Sequence, residues 1–437
     1  MRIDEGLEMN FDGETRSNMN PGTGAVKALC PRRITMQFIR FKNSIILLGF
    51  MALILGLAGS AGADFKIQCP AGDTPTDNIK CMHVTASDGF AKMADGKRLY
   101  VFGFADQTGK PLATAISDGI LGAEQPSPPI SLNEDDNFYL TVSNVGMVVR
   151  PDLFDPHTVH YHGFPEASGV FDGVPEMSIS INQEGSITYF YHNVEPGTYM
   201  WHCHVEATEH MQMGMLGSLH VSPAQNQLPD LTDLNGFSHH TGYQYVYNDG
   251  DGSTYYDKEY TILLGGYDGA FHDASESVQP LPFANMKDTY PVINGRGYPD
   301  TVNNTTPIDN GDGKITQKVD SLIEALPGEM ILLRMTNLNV TRAFTMQLSG
   351  GLKFKVVGRD ARINRGRGVP NGKDLYFDTT AIFVAGGSTH DAIVQIPPAI
   401  DLPLGTTTYV LYTTNMNYLS NNQEDFGGLM TEIRVTN

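Results

Sequence analysis

The hydrophobic positions of the chain form many short runs rich in Val, Ile, Tyr and Thr, separated by polar segments with abundant Gly and Pro. Such runs are typical of β-strands, because branched and aromatic side chains pack well on a pleated surface. With 46 Gly, 25 Pro and a single Trp among 437 residues, the sequence does not fit a helical bundle. It predicts an all-β protein whose strands are joined by turns, and its length favours two domains.

One apolar run differs from the others because it follows a basic segment near the N-terminus. It extends from Ile45 to Ala58, and Ala61-Gly62-Ala63 then supplies small residues at the spacing of a signal peptidase site. The run is short for a membrane span. We therefore expect residues 1–63 to be a leader with a secretory signal peptide, starting at Met1 or Met36, and the mature protein to be periplasmic or extracellular.

Two parts of the remaining chain, residues 125–222 and 315–435, resemble each other in their order of strands and turns. Each begins with an apolar strand that ends in Asn, and each later has a Gly-Thr turn before a Tyr-bearing strand. This repetition predicts two Greek-key β-sandwich domains. We expect domain 1 at residues 64–225, a linker at 226–236, and domain 2 at 237–437.

The charge balance excludes one class of partner. With 29 Lys and Arg against 49 Asp and Glu, the net charge is −20, so a basic groove for nucleic acid cannot be assembled. Cysteine usage points to an oxidising compartment, since Cys69 and Cys81 lie close together near the new N-terminus and are predicted to form a structural disulfide. Cys30 falls in the leader. Cys203 is then left without a disulfide partner, and the residues around it indicate whether its thiol has a chemical role.

Cys203 lies in a segment that offers the ligand set of an electron-transfer copper. One thiolate, two imidazoles and one thioether come from Cys203, His157, His210 and Met215. This donor set is that of type 1 copper with a weak axial Met, whereas zinc rarely takes a Met ligand. Met211 and Met213 are alternative axial ligands or a cuprous entry site, and we interpret both as packing residues. The alternative interpretation is that these residues form no metal site, and that Cys203 is a buried core residue near unrelated surface histidines.

Four further histidines form two His-x-His pairs, which are His160 with His162 and His202 with His204. Alternate residues of a strand share a face, so His202 and His204 point away from the side of Cys203. Their imidazoles suit one or two further metal ions, with redox copper and structural zinc as the alternatives. Because His202 and His204 flank Cys203, an electron on the thiolate reaches this second site through a few covalent bonds. We assign catalytic roles to these three residues.

These motifs resemble those of the multicopper oxidases. His157-Thr-Val-His160-Tyr-His162-Gly163 is similar to the family's H-x-x-H-x-H-G segment. His202-Cys203-His204, followed by His210 and Met215, is similar to its H-C-H and H-x-x-x-G-M segments, although the stretch from Cys203 to His210 is two residues longer than is common. The resemblance implies cupredoxin-type domains, type 1 copper at the thiolate set, and type 2 or type 3 copper at the paired histidines. It also implies an oxidoreductase that takes electrons from a small-molecule reductant or a redox protein and delivers them to oxygen.

The second half of the chain lacks matching ligands. When the two halves are aligned, the histidines and Cys203 are replaced by Arg342, Thr345, Gln347, Tyr412, Thr413 and Thr414. The other seven of the 13 histidines form no further His-x-His pair. By resemblance, a trinuclear copper centre takes eight imidazoles, and the first half supplies half of such a centre. We therefore expect the remaining imidazoles to come from a partner chain or from another copy in a homo-oligomer.

Two other functions remain open at this point. The chain also resembles the two-domain copper nitrite reductases, which are trimers with a type 2 copper between subunits and which use nitrite as acceptor. It departs from them by having His160 in place of a catalytic Asp and His204 in place of Ala. The other alternative is a copper-loaded electron carrier or copper-binding protein without enzymatic activity, whose acidic surface docks a cationic redox partner.

Overall fold

The computed structural model describes residues 65–70, 78–165, 167–192, 194–277, 280–303, 308, 310–367 and 372–437. The expected leader lies outside these residues, and export therefore stays a prediction. Among the described residues, no helix combines the length and the apolar character needed to cross a membrane. The described chain consists mainly of β-strands, which confirms the all-β prediction.

The first half forms two four-stranded sheets. Its strands are β1 (Ile79–Lys92), β2 (Arg98–Asp106), β3 (Ile130–Asn133), β4 (Asn137–Gly146), β5 (His160–His162), β6 (Ser186–Tyr191), β7 (Gly197–His202) and β8 (Leu216–Ser222). Sheet A has the order β2-β1-β4-β6, and sheet B has the order β3-β8-β7-β5. Two short helices connect strands, α1 (Leu112–Gly119) and α2 (Ala207–Met213). The disulfide predicted between Cys69 and Cys81 is present.

The second half forms two larger sheets and three small ribbons. Its strands are β9 (Asp233–Leu234), β10 (Phe237–Ser238), β11 (Gln244–Tyr245), β12 (Tyr255–Tyr256), β13 (Lys258–Tyr267), β14 (Tyr290–Ile293), β15 (Ile323–Ala325), β16 (Met330–Asn337), β17 (Phe344–Leu348), β18 (Phe354–Arg359), β19 (Arg362–Ile363), β20 (Phe377–Thr379), β21 (Ala381–Val384), β22 (Ser388–Gln395), β23 (Thr406–Thr413), β24 (Ser420–Asn421), β25 (Glu424–Asp425) and β26 (Met430–Thr436). Sheet C has the order β14-β13-β16-β22-β18-β19 with β20 beside β18, and sheet D has the order β15-β26-β23-β17-β21. The helix α3 (Gly269–Ser275) follows β13.

The two halves repeat one topology. In sheet A, β1 pairs antiparallel with β2 and parallel with β4, and in sheet C, β13 pairs in the same way with β14 and β16. In sheet B, β8 pairs parallel with β3 and antiparallel with β7, as β26 pairs with β15 and β23 in sheet D. Each half is therefore a Greek-key sandwich of two sheets, which confirms the predicted fold class.

The strand register corrects one detail of the alignment between the halves. In the first half, His160 lies opposite His202. The alignment places Thr345 at the position of His160 and Tyr412 at that of His202, but the main-chain N–H of Thr414 donates to Thr345 O at 2.8 Å, two residues further along β23. None of these positions is a histidine at either register. The expectation that the second half lacks matching imidazoles therefore holds.

Each sandwich encloses an apolar core, and the central strands of sheet B, β7 and β8, are buried on both of their faces. Phe104 of sheet A and Trp201 of sheet B belong to the core of the first half. On the opposite face of β7, Met200 packs with Leu263 and Leu338 of the second half. Burial of side chains of this size contributes about 1.5–3 kcal/mol each. The second half thus covers the outer face of the sheet that carries β5 and β7.

The contact between sheets B and C also contains a buried ionic network. Arg334 on β16 is fully buried, and its Nε donates to Glu259 Oε2 at 2.7 Å. Its Nη1 lies 3.7 Å from Asp391 Oδ1 on β22. The hydroxyls of Thr198 and Tyr247 each donate to Asp391 at 2.5 Å. Thr198 belongs to β7, so Thr198, Arg334 and Asp391 tie the first half to the second through fully buried groups, whereas Glu259 at the end of the network is exposed.

Candidate metal centre

Three of the predicted type 1 ligands enter one pocket from three different segments. His157 follows β4, and its main chain forms a two-bond bridge with Ile181 (3.0 and 2.8 Å). Cys203 directly follows β7, and His210 lies in α2. The side chains of all three are fully buried, at 0 % exposure. The pocket therefore brings together residues that are up to 53 positions apart (157 to 210) in the sequence.

The donor atoms of these residues converge on the thiol. Cys203 Sγ lies 3.2 Å from His210 Nδ1 and 3.8 Å from His157 Nδ1. All three donor atoms lie within 4.8 Å of one another. Both imidazoles direct Nδ1 at the sulfur. This arrangement is the one expected of side chains that share a single small ion.

Met215 is held next to this pocket by main-chain bonds. Its N–H donates to His210 O at 2.8 Å, and its carbonyl accepts the N–H of Cys203 at 3.1 Å. Gly214 makes the turn between them with φ of +113°, and a Cβ at this position would lie 2.0 Å from Gln125 Oε1. Only glycine fits such a position. Met215 is fully buried, and its backbone is thus fixed between the two neighbouring ligands.

The electrostatic surroundings of the two imidazoles differ. Burial acts to lower the pKa of His210, but the Cys203 thiolate and the Asp155 carboxylate outweigh it and raise this pKa to about 10. Asp155 Oδ2 lies 3.8 Å from His210 Nε2. Burial, followed by the charge of His210, lowers the pKa of His157 well below its usual value. His157 is therefore neutral in this pocket, the form in which an imidazole binds a metal ion.

The four paired histidines form a second cluster. His160 and His202 lie opposite each other on β5 and β7, and their ring centroids are 5.2 Å apart. Donor atoms of His160, His162 and His202 all lie within 4.8 Å of one another. The ring of His204 is 5.2 Å from that of His160 and 5.6 Å from that of His202. The structure thus brings all four together, with His204 at the edge of a tighter group of three.

Main-chain carbonyls orient two of these rings. His160 Nδ1 donates to Asp172 O at 2.6 Å, and His202 Nδ1 donates to Cys203 O at 2.9 Å. These bonds hold the proton on Nδ1 and leave Nε2 as the lone-pair donor of each ring. Burial lowers the pKa of His202 to about 3. Burial, followed by the neighbouring His160, also lowers the pKa of His162. Neutral imidazoles are the form that binds a metal ion.

Several residues near the two clusters were not predicted from the sequence. Asp155 faces His210, and Thr158 Oγ1 accepts the main-chain N–H of His204 at 3.2 Å. Gly387 of the second half borders His162, because a Cβ at this position would lie 3.1 Å from His162 Nε2. Asp155 could have been noticed as a carboxylate two residues before His157. Gly387 has no sequence signal, since it reaches the site only through the packing of the two halves.

Comparison with known proteins agrees with this geometry. Residues 117–226, a quarter of the chain, match the family model described as multicopper oxidase. No curated protein matches the sequence. Among solved structures, the blue copper oxidase from Nitrosomonas europaea is 18 % identical, with 82 % of this chain and 86 % of that chain covered and a TM-score of 0.57. The copper nitrite reductase from the same organism is 16 % identical, with 82 % and 94 % covered and a TM-score of 0.52.

The fold and the donor set define a cupredoxin-type copper protein. A thiolate with two buried imidazoles and a neighbouring thioether is a soft set that fits copper. The matched segment contains every residue from His157 to Met215, so the resemblance to the multicopper oxidases is confirmed for the part of the chain that carries the site. Residues 117–226 match the multicopper oxidase family model, which supports copper as the cofactor and an oxidoreductase as the class of protein. The distant structural likenesses show the fold.

Proposed function

We propose that the chain is an exported copper-dependent oxidoreductase with two linked copper sites. Cys203, His157, His210 and Met215 hold a type 1 copper, and the paired histidines hold the second site with oxygen as the electron acceptor. One observation carries the proposal: the Nδ1 atoms of His157 and His210 both lie within 4 Å of the buried Cys203 Sγ. Copper bound at these residues supplies one-electron redox chemistry.

The chain provides a short route between the two clusters. Cys203 and His202 are consecutive residues, and they belong to different clusters. The bond from His202 Nδ1 to Cys203 O, at 2.9 Å, adds a second connection beside the covalent one. His204 follows on the other side of Cys203. An electron that enters through the thiolate therefore reaches the imidazole cluster without crossing a gap between unbonded side chains.

The second cluster supports a site that binds and reduces a small acceptor. Three imidazoles occupy part of the coordination sphere of an ion and leave room for a further ligand. His160, His162 and His204 are partly exposed, whereas His202 is buried. The cluster is therefore accessible from outside. Further imidazoles from a partner chain or a second copy of this chain would complete a trinuclear centre.

Three features support export and the class of electron donor. The signal peptide pattern in residues 1–63 and the disulfide between Cys69 and Cys81 both suit an oxidising compartment. The net charge of −20 suits a cationic redox partner or a small-molecule reductant.

Copper analysis with electron spin resonance on the purified chain tests the proposal. We expect an intense blue band from the thiolate, with about four coppers per chain if a different partner chain completes the centre and about five per two chains if a second copy of this chain does. Cys203→Ser should remove the band and the type 1 signal. Met215→Leu should shift the type 1 signal, whereas Met213→Leu, a buried neighbour in the core, serves as the matched control and should not. A colour and metal content unchanged by Cys203→Ser would refute the type 1 site.

A nitrite reductase is the second candidate, and one observation favours it. His160, His162 and His202 converge as a group of three, which suits a single ion with an open position better than a larger cluster. Nitrite turnover with a reduced dye, together with two coppers per chain and no oxygen consumption, would support this candidate over the oxidase. Blue absorbance without turnover of either acceptor would indicate an electron carrier.

A further inference from the structure

The second half of the chain covers the segment that carries three of the four type 1 ligands. This segment, Cys203–Met215, is called the ligand loop here. Met211 of the loop packs against a cluster that includes Leu263 and Leu338 of the second half. Gln212 Nε2 donates to Gly266 O on β13 at 3.4 Å. The described residues of the second half contain none of the predicted ligands, but they form the surface on which the ligand loop rests.

One buried histidine of the second half reaches the ligand loop directly. His272 lies in α3 and is fully buried. Its Nε2 contacts Gln212 O at 3.1 Å, and its Nδ1 contacts Tyr100 O at 2.5 Å. Gln212 belongs to α2, the helix of His210, and Tyr100 belongs to β2. A single ring from the second half therefore connects two segments of the first half.

Both of these segments hold His210. Gln212 is two residues from His210 in the same helix. Tyr100 lies two residues before Phe102 on β2, and their rings meet edge to face at 5.4 Å. The ring of Phe102 in turn meets the ring of His210 edge to face at 5.8 Å. A shift of His272 would therefore be transmitted to His210 both through its helix and through the aromatic wall beside it.

The contacts of His272 with Gln212 O and Tyr100 O are hydrogen bonds to the main chain, which restrict the position of the ring and of both segments. Both partners are main-chain carbonyls, which only accept, so the His272 ring donates to one or the other in its two neutral tautomers and to both when protonated. Burial lowers the pKa of His272. The ring is fully buried, and an apolar side chain in its place would leave the carbonyl that accepts its N–H without that donor.

We infer that His272 is a positioning residue for the type 1 copper site, which it orients through the hydrogen bond between its Nε2 and the carbonyl of Gln212. The inference rests on the proposed function, because it concerns the same copper ligands. It gives the second half a role in the chemistry, although that half contributes no ligand. His272 itself does not touch the donor atoms of Cys203, His157 or His210 in any hydrogen bond or ring contact.

Two amide substitutions separate the two contacts of the ring. The side-chain amide of Asn places its nitrogen near the position of histidine Nδ1, and that of Gln places it near Nε2. His272→Asn therefore keeps a donor for Tyr100 and loses the one for Gln212, whereas His272→Gln keeps the donor for Gln212. A third variant, His83→Asn, is the matched control, because His83 is a buried histidine on β1 whose Nε2 bonds Ser143 Oγ at 2.9 Å, away from the ligand loop.

The full chain is loaded with copper, and four quantities are measured for each variant: the thiolate absorption band, the reduction potential of the type 1 site, the rate of copper loss to a chelator, and the thermal midpoint. His272→Asn should shift the band and the potential and should release copper about tenfold faster, as is usual when a hydrogen-bond partner behind a ligand is lost. His272→Gln should stay close to the unsubstituted chain. His83→Asn should lower the thermal midpoint and leave the three copper properties unchanged.

The outcomes distinguish the inference from the proposed function. If the unsubstituted chain shows no thiolate band, the proposed function fails and the inference fails with it. If the band is present and His272→Asn matches the unsubstituted chain, or if His83→Asn changes the copper properties equally, the inference alone is overturned. Should His272→Asn not fold, the unsubstituted chain labelled with ¹⁵N-histidine decides: binding of Cu(I) should change the ring nitrogen shifts of His272 but not those of His83, and unchanged His272 shifts overturn the inference.

Discussion

Replacing Arg334 by Met should weaken the contact between the two halves, because it leaves a buried carboxylate without its cation. Arg334 and Asp391 both have fully buried side chains, and their nearest charged atoms are 3.7 Å apart. At this distance an attraction of roughly 4 kcal/mol is expected for an effective dielectric constant of about 20. Breaking a buried pair by removing one partner usually costs about 3–5 kcal/mol.

The second acidic partner changes this estimate little. Glu259 is bonded to Arg334 Nε at 2.7 Å, but its side chain is 39 % exposed, so water can replace much of that interaction. Asp391 keeps the hydroxyl donors of Thr198 and Tyr247 after the substitution. We therefore expect a loss of about 3 kcal/mol, at the lower end of the range for buried pairs.

Urea unfolding followed by the fluorescence of Trp201, the one Trp of the chain, measures this loss. For a slope of about 3 kcal/mol/M the midpoint should fall by about 1 M. Arg362→Met is the control, since Arg362 pairs with Glu195 at 3.1 Å with both side chains more than half exposed, and such pairs contribute less than about 1 kcal/mol. Adding Asp391→Asn should recover part of the loss. Equal shifts for the two arginine variants, or strictly additive effects of Arg334→Met and Asp391→Asn, would refute the argument.

Three further outcomes are expected. Gly387→Ala should lower copper occupancy at the second site and leave the blue band intact, because the added Cβ would lie 3.1 Å from His162 Nε2 at a φ of +81°. Spin resonance measures this occupancy, and an unchanged signal from the second site would contradict the prediction. Gly214→Ala should weaken copper binding at the type 1 site and destabilise the chain by about 1–3 kcal/mol, because the added carbon overlaps Gln125. A variant that binds copper as tightly as the unsubstituted chain would argue against this. Burial lowers the pKa of His220 to about 3, so the neutral ring contributes stability that is present above about pH 6.5 and is lost as the pH falls toward 3. The urea midpoint should therefore drop less between pH 7 and 4.5 in His220→Gln than in the unsubstituted chain, and parallel declines would disprove it.

The composition of the two clusters could be predicted from sequence because the features that build them are local. Alternation along a strand separates Cys203 from His202 and His204, and antiparallel pairing of β5 with β7 places His160 opposite His202. The type 1 set required one long-range assumption, that His157 joins the thiol. Its Nδ1 lies 3.8 Å from Cys203 Sγ. The assignment of ligands to particular coppers stays a prediction, as do the domain bounds and export.

The features that sequence reasoning missed depend on packing between distant parts of the chain. Gly387 reaches the second cluster, and His272 reaches the ligand loop, only because the two halves pack together, and no spacing in the sequence encodes that contact. The alignment of the halves was wrong by two residues on one strand pair for a related reason. Without paired histidines to anchor the comparison, the register of β17 against β23 follows from the turns and cores of the second half rather than from its motifs.

The second half keeps the fold without the ligands, and its place in the structure gives the reason. β7 carries core side chains on one face and packs Met200 against the second half on the other, so the strand that leads into Cys203 is held from both sides. Without the second half, Met200 and its apolar neighbours on the outer face would be exposed to water, which is unfavourable. The ligand loop would also lose its contacts with β13 and α3. A second sandwich is therefore needed as a surface even where it has no chemistry of its own. This surface requires no metal ligands, whereas Arg334 and His272 are part of the contact itself.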